Sequence, residues 1–153
     1  MRAEAEQDVK DQTEWVMEHY SIITSDDAYP LFRAAMDRVE GKEAIFVLPL
    51  DADGRKITNP TLVAFGEKKT AACEPKTIFR AVFNANAEAF LVAHNHPSGN
   101  PKPSRDDVEM TRKLMAGAEL LGVRLLDHLI IGSPESEDGR GFVSIMEQIE
   151  NDL

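Results

Sequence analysis

One cysteine in 153 residues, Cys73, excludes an intrachain disulfide and suits a reducing cytoplasm. The HxE and PCxxC segments of a zinc nucleobase deaminase are absent, as is the HExxH helix of many metalloproteases. No apolar run approaches the roughly 20 residues of a membrane helix, and the acidic N-terminus lacks the charged-then-apolar order of a secretory signal. Basic residues are scarce too: 17 Lys and Arg stand against 27 Asp and Glu, a net charge of -10. Nonspecific nucleic-acid binding depends on cations that neutralise phosphates, so direct DNA binding is not expected. Lys68-Lys69 and Lys102 with Arg105 read only as small solvated patches. What remains, 42% hydrophobic and 29% charged, describes an ordinary globular chain of one domain.

Within that chain the segment His94-Asn95-His96-Pro97-Ser98-Gly99-Asn100-Pro101-Lys102-Pro103-Ser104-Arg105-Asp106-Asp107 concentrates the chemistry. Residues 89 to 94 are an apolar run suited to a buried strand, where side chains two apart point the same way. His94 and His96 can therefore aim at one point. Three prolines and Gly99 then mark a loop, and a helix is expected to start at Ser104.

Along that helix, at 100° per residue, Val108, Thr111, Leu114, Met115, Ala118 and Leu121 form one stripe. Asp107 falls in the middle of it. An inward carboxylate is costly unless it is paired, hydrogen-bonded or metal-bound, and no basic residue on the stripe offers itself. A cation shared with His94 and His96 answers the cost. Ser104 to Asp107 also fits an N-terminal capping pattern, although the usual acid there is Glu.

The spacing H-x-H-x7-S-x2-D is that of the JAMM (MPN+) zinc metallopeptidase motif. Together with Leu126-Asp127-His128-Leu129-Ile130-Ile131-Gly132 and Gly141-Phe142-Val143-Ser144, the segment closely resembles the RadC family of bacterial JAB-domain proteins, over about residues 22 to 146. The resemblance implies an α/β fold: a single MPN (JAB)-type domain, a mixed β-sheet flanked by helices, with cytidine-deaminase-like architecture. It also implies Zn2+ held by His94, His96 and Asp107, with Ser104 assisting at the oxyanion or orienting water. Glu43 matches the upstream glutamate; from the residues alone Glu40, Glu67 and Glu74 are rivals, and a solvated charge at a strand end is the plain alternative.

Two departures stand out. Where members commonly carry His-Pro-Arg-Glu, this chain reads Cys73-Glu74-Pro75-Lys76-Thr77, with Glu74 in the histidine's place. Longer members carry an N-terminal helical, helix-hairpin-helix-like domain, and this stretch of sequence is expected to have no room for it.

Other elements follow from periodicity. Val9, Thr13, Val16 and Tyr20 suggest an amphipathic helix over 3–20, so 1–21 reads as an N-terminal helical extension and 22–153 as the domain. Helices are expected over 27–39, with Pro30 in its first turn, and over 75–85, with Ile78, Phe79, Val82 and Phe83 inward. Strands are expected over 43–50, 55–65, 123–131 and 141–145. Asp127 and His128 interrupt one of these, and alternation sends them to opposite faces, so a buried sheet must provide a polar partner. His128 reads as structural; Asp127 fits a structural hydrogen bond or a supporting role at the site. Cys73 reads as a buried small residue rather than a nucleophile.

Two function classes emerge. One is a hydrolase cleaving an amide, peptide or isopeptide bond with metal-activated water; the other is a metal-binding accessory protein in DNA repair or mobile-element biology with little turnover.

Overall fold

A computed structural model describes residues 20–66 and 73–151. The expected helix over 3–20, Glu67 and the Lys68-Lys69 pair lie outside the described residues. In chain order the elements are α1 (Ser25–Met36), β1 (Ala44–Leu50), β2 (Thr61–Phe65), α2 (Pro75–Asn84), β3 (Ala89–Asn95), α3 (Arg105–Leu121), β4 (Arg124–Ile131), β5 (Phe142–Ser144) and α4 (Ile145–Asn151), with a short turn at Ser136–Gly139 before β5. The strands form one mixed sheet in the order β2-β1-β3-β4-β5. β1 runs antiparallel to β2 and β3, β3 runs parallel to β4 through the α3 crossover, and β5 returns antiparallel to β4.

Strand alternation divides the core in two. Phe46, Leu48, Leu50, Leu91 and Leu129 pack against Leu31, Phe32 and Met36 of α1. On the other face, Ile45, Val47, Phe90 and Val92 meet Ile78, Phe79 and Val82 of α2 and Leu114 and Ala118 of α3. His94 shares the second face with Phe90 and Val92, which turns it toward α3. Gly117 makes the α2–α3 contact close: a Cβ there would lie 2.8 Å from the Phe79 ring. α4 completes that layer, with Ile145 and Ile149 against Ile130.

Several expectations need correction. The amides of Ile23 and Thr24 both reach the Asp27 carboxylate at 3.0 Å, so α1 starts at Ser25 and Pro30 lies past its first turn. Its missing N–H leaves the Asp26 carbonyl without the helical partner. β2 begins only at Thr61, because Asn59-Pro60 interrupts the ladder; Arg55 and Lys56 make isolated bridges to Ser21 and Leu50. Phe83 and Leu121 are exposed near the ends of their helices, beyond the cover of the sheet. α4, which buries only Ile145 and Ile149, was not anticipated. No helix among the described residues is long and apolar enough to cross a membrane.

Candidate metal centre

At the carboxyl end of β3 the chain leaves the sheet and is stitched to the end of β4. The His96 amide donates to the Ile131 carbonyl at 3.1 Å, and the Ser133 amide to the Gly99 carbonyl at 2.9 Å. Gly132 permits this approach, since a Cβ there would lie 2.6 Å from the Gly99 oxygen. The stitched turn returns the chain through buried Pro101 to Ser104 and α3.

Three side chains from β3, its following turn and α3 then converge. The Nε2 atoms of His94 and His96 are 3.2 Å apart. Asp107 Oδ1 lies 3.0 Å from the first and Oδ2 3.2 Å from the second. Each residue offers one ligand atom, and these atoms all lie within 4.8 Å of one another. This set could hold a metal ion.

Asp107 also performs the capping role. Its Oδ2 accepts the Ser104 amide at 2.7 Å while its own amide donates to Ser104 Oγ at 3.1 Å. Capping and metal ligation are therefore compatible readings of one residue: the reciprocal cap fixes the carboxylate, and the same rotamer presents it to the imidazoles. Burial opposes ionisation of Asp107, but His94, His96 and the Ser104 amide outweigh it and hold the carboxyl well below the usual range.

The remote nitrogens are also engaged. His96 Nδ1 lies 3.0 Å from the Asn100 carbonyl; since that oxygen can only accept, Nδ1 carries a proton, and Nε2 is the nitrogen left to face His94 and Asp107. His94 Nδ1 lies 2.9 Å from His128 Nε2, and His128 Nδ1 lies 2.7 Å from Thr111 Oγ1. Burial pushes the His128 imidazole well below its usual pKa. The hydrogen bond with Asp107 pushes His96 up, against burial, with the Asn100 carbonyl and the Asp107 and Glu43 charges adding to the rise. A donor set of two imidazole nitrogens and a carboxylate, all aimed at one point, fits a divalent transition ion.

Glu43 precedes β1. β1 pairs Ile45 with His94, so continuing the ladder brings Glu43 toward His96, and its charge is felt there. Asn95 reinforces this register: its Oδ1 accepts the Ala44 amide and its Nδ2 donates to the Lys42 carbonyl, both at 2.8 Å. Ser104 is exposed at the N-cap of α3. Of the rivals, Glu40 lines a crevice of about 350 Å³ with Asn95, His96 and Gly99. Glu74 is the exposed N-cap residue of α2 and pairs with Lys76 at 3.2 Å. Cys73 is buried in the α2 core, where burial and the Glu74 charge push its thiol up.

That crevice lies at the carboxyl ends of the parallel strands β3 and β4, where α/β sheets commonly bind ligands. A more apolar groove, about 420 Å³ between α1 and β2, includes none of the three converging residues.

The RadC-like JAB domain model matches residues 22–149. The chain belongs to the RadC-like JAB domain family. Similar RadC-family relatives include a UPF0758 protein of Caldanaerobacter subterraneus, 36% identical over 86% of this chain and 53% of its own length. The UPF0758 protein YsxA of Bacillus subtilis is likewise 36% identical over 86% of this chain and 53% of its own. A UPF0758 protein of Trichormus variabilis is 44% identical over 61% and 38%. The chain thus spans about half the length, or less, of these curated relatives.

Thr111, Asn95 and Asn100 were not singled out from sequence, and His128 was read only as structural. Thr111 sat unremarked in the apolar stripe; a hydroxyl four residues after an inward acid was the available signal. The other contacts join residues distant in sequence or use a backbone carbonyl, so spacing gives no hint of them.

Proposed function

We propose that this RadC-family domain is a zinc-dependent hydrolase of an amide, peptide or isopeptide bond. The observation that carries the reading is the convergence of His94, His96 and Asp107 on one point, with their far sides engaged by other protein groups. Zinc held by three such ligands supplies an electrophile that polarises a carbonyl and makes water acidic enough to react near neutral pH.

The chain's own groups account for the proton and charge movements. Glu43 takes a proton from the attacking water and returns it to the leaving amine. The Ser104 hydroxyl accepts from the Asp107 amide and so keeps its own proton to donate toward the developing oxyanion. The N-terminus of α3 favours the same negative charge by about 0.3–1 kcal/mol, a minor contribution. The crevice beside His96 accommodates the chain flanking the scissile bond.

Glu43→Gln is the test. Elemental analysis should find zinc retained while cleavage of peptide and isopeptide substrates falls by about 100-fold or more, the usual scale for a general base. A wild-type protein that holds zinc yet cleaves nothing across a broad panel of peptides, isopeptides and simple amides would leave the accessory metal-binding role in its place.

A further inference from the structure

We propose that Thr111 and His128 are positioning residues that hold His94 in the one tautomer able to bind a cation through Nε2. This inference rests on the metal-centre reading above. The two candidate histidine ligands differ in what stands behind them. His96 Nδ1 faces the Asn100 carbonyl, which can only accept a proton, so its polarity is settled by that one contact. His94 Nδ1 faces another imidazole, which can donate or accept. Something further along must choose.

The choice can be followed outward from a cation. Ligation through His94 Nε2 puts the His94 proton on Nδ1, which needs an acceptor in His128 Nε2, 2.9 Å away. Neutral His128 then carries its proton on Nδ1, which needs an acceptor in Thr111 Oγ1, at 2.7 Å. Thr111 can accept because its own proton goes to the Asp107 carbonyl at 2.9 Å. Every atom has one remaining role. Thr111, His94 and His128 are all buried, at 0%, 3% and 3% exposure, so bulk solvent cannot readily substitute for a missing partner.

The chain also ends where it matters. Its terminal acceptor is the backbone of Asp107, whose carboxylate faces His94 Nε2 at 3.0 Å. Two candidate ligands on separate elements are thus tied through the back of the site as well as across its front, and Thr111 connects them by standing one helical turn after Asp107. Metal-binding imidazoles commonly need such a partner to fix the tautomer and ring orientation.

Thr111→Val keeps the volume and removes the acceptor. His128 Nδ1–H is then unmatched, and moving its proton to Nε2 sets it against His94 Nδ1–H. Zinc affinity, measured by chelator competition at fixed pH, should fall about 10- to 100-fold, whereas Thr111→Ser should stay within about threefold of wild type. A merely structural role predicts the reverse: lower thermal stability of the metal-free protein at unchanged affinity. Nitrogen-15 imidazole NMR on the zinc-loaded wild type gives a readout independent of any variant's folding, and should show His128 protonated at Nδ1. Protonation at Nε2 instead, or wild-type affinity in Thr111→Val, overturns this inference alone. A wild type that binds no zinc overturns the metal-centre reading as well.

Discussion

Asp107 and Asp127 are both acids turned inward, one toward each face of the sheet, and they are solvated in opposite ways. Asp127 is surrounded by donors. Its Oδ2 accepts the Ser25 hydroxyl and, at 2.5 Å, that of Ser144; its Oδ1 accepts the amides of His128 at 2.7 Å and Met146 at 3.2 Å. These bonds join α1, β4, β5 and α4, and the carboxylate needs no ion. Asp107 receives the Ser104 amide and otherwise faces two imidazole nitrogens. The difference teaches that an inward acid is diagnosed by its neighbours: saturated by hydroxyls and amides it is a structural joint, but opposite potential electron-pair donors it is suited to share a cation with them.

The comparison breaks most visibly at Asp107. In Asp107→Asn, metal analysis after zinc loading should show stoichiometric binding lost, while the metal-free protein still folds but is less stable than wild type at neutral pH, because the amide oxygen can still accept the Ser104 N–H but gives up the charge that pairs with His94 and His96. Asp127→Ala should do the opposite. One buried and one half-buried hydroxyl and two amides lose their acceptor, so urea denaturation should show a loss of about 2–4 kcal/mol, with zinc affinity in the folded protein essentially unchanged.

A smaller effect concerns pH. Burial raises the Asp127 carboxyl pKa despite the opposing bonds from Ser144, Ser25, Met146 and His128. An acid whose folded pKa exceeds its unfolded value makes folding less favourable once ionised, so its contribution improves as pH falls through the folded pKa and is complete below the ordinary value of 3.8. Chemical denaturation of wild type and Asp127→Asn should therefore show the wild type gaining relative to the variant on acidification from neutral pH toward about 4. A constant difference across that range would contradict the assigned direction.

Much of the candidate site was legible because it follows local periodicity. Period two aligned His94 with His96, and the 100° step placed Asp107 inward. Periodicity could not show that the capping and ligating geometries coincide, since that depends on the side-chain rotamer. Nor could it find the contact between His94 and His128, which are brought together by the pairing of β3 with β4. Among the elements, Pro30 misplaced the start of α1 because the Asp27 cap took precedence over proline's preference for the first turn. The helix stripe correctly placed Leu114 and Ala118, yet failed at Leu121, where the neighbouring elements no longer cover it.

Asn95 lies between the two histidines in sequence and contributes nothing to the three-residue cluster. By gripping the peptide groups on either side of Glu43, it extends the β1–β3 ladder with a side chain where the backbone pairing stops. The preceding turn at residues 37–42 is thereby anchored at its last residue, beside the acid. Glu40 and Gly41 of that turn line the crevice, so substitutions there reshape its mouth while Asn95 still holds the peptide groups that flank Glu43.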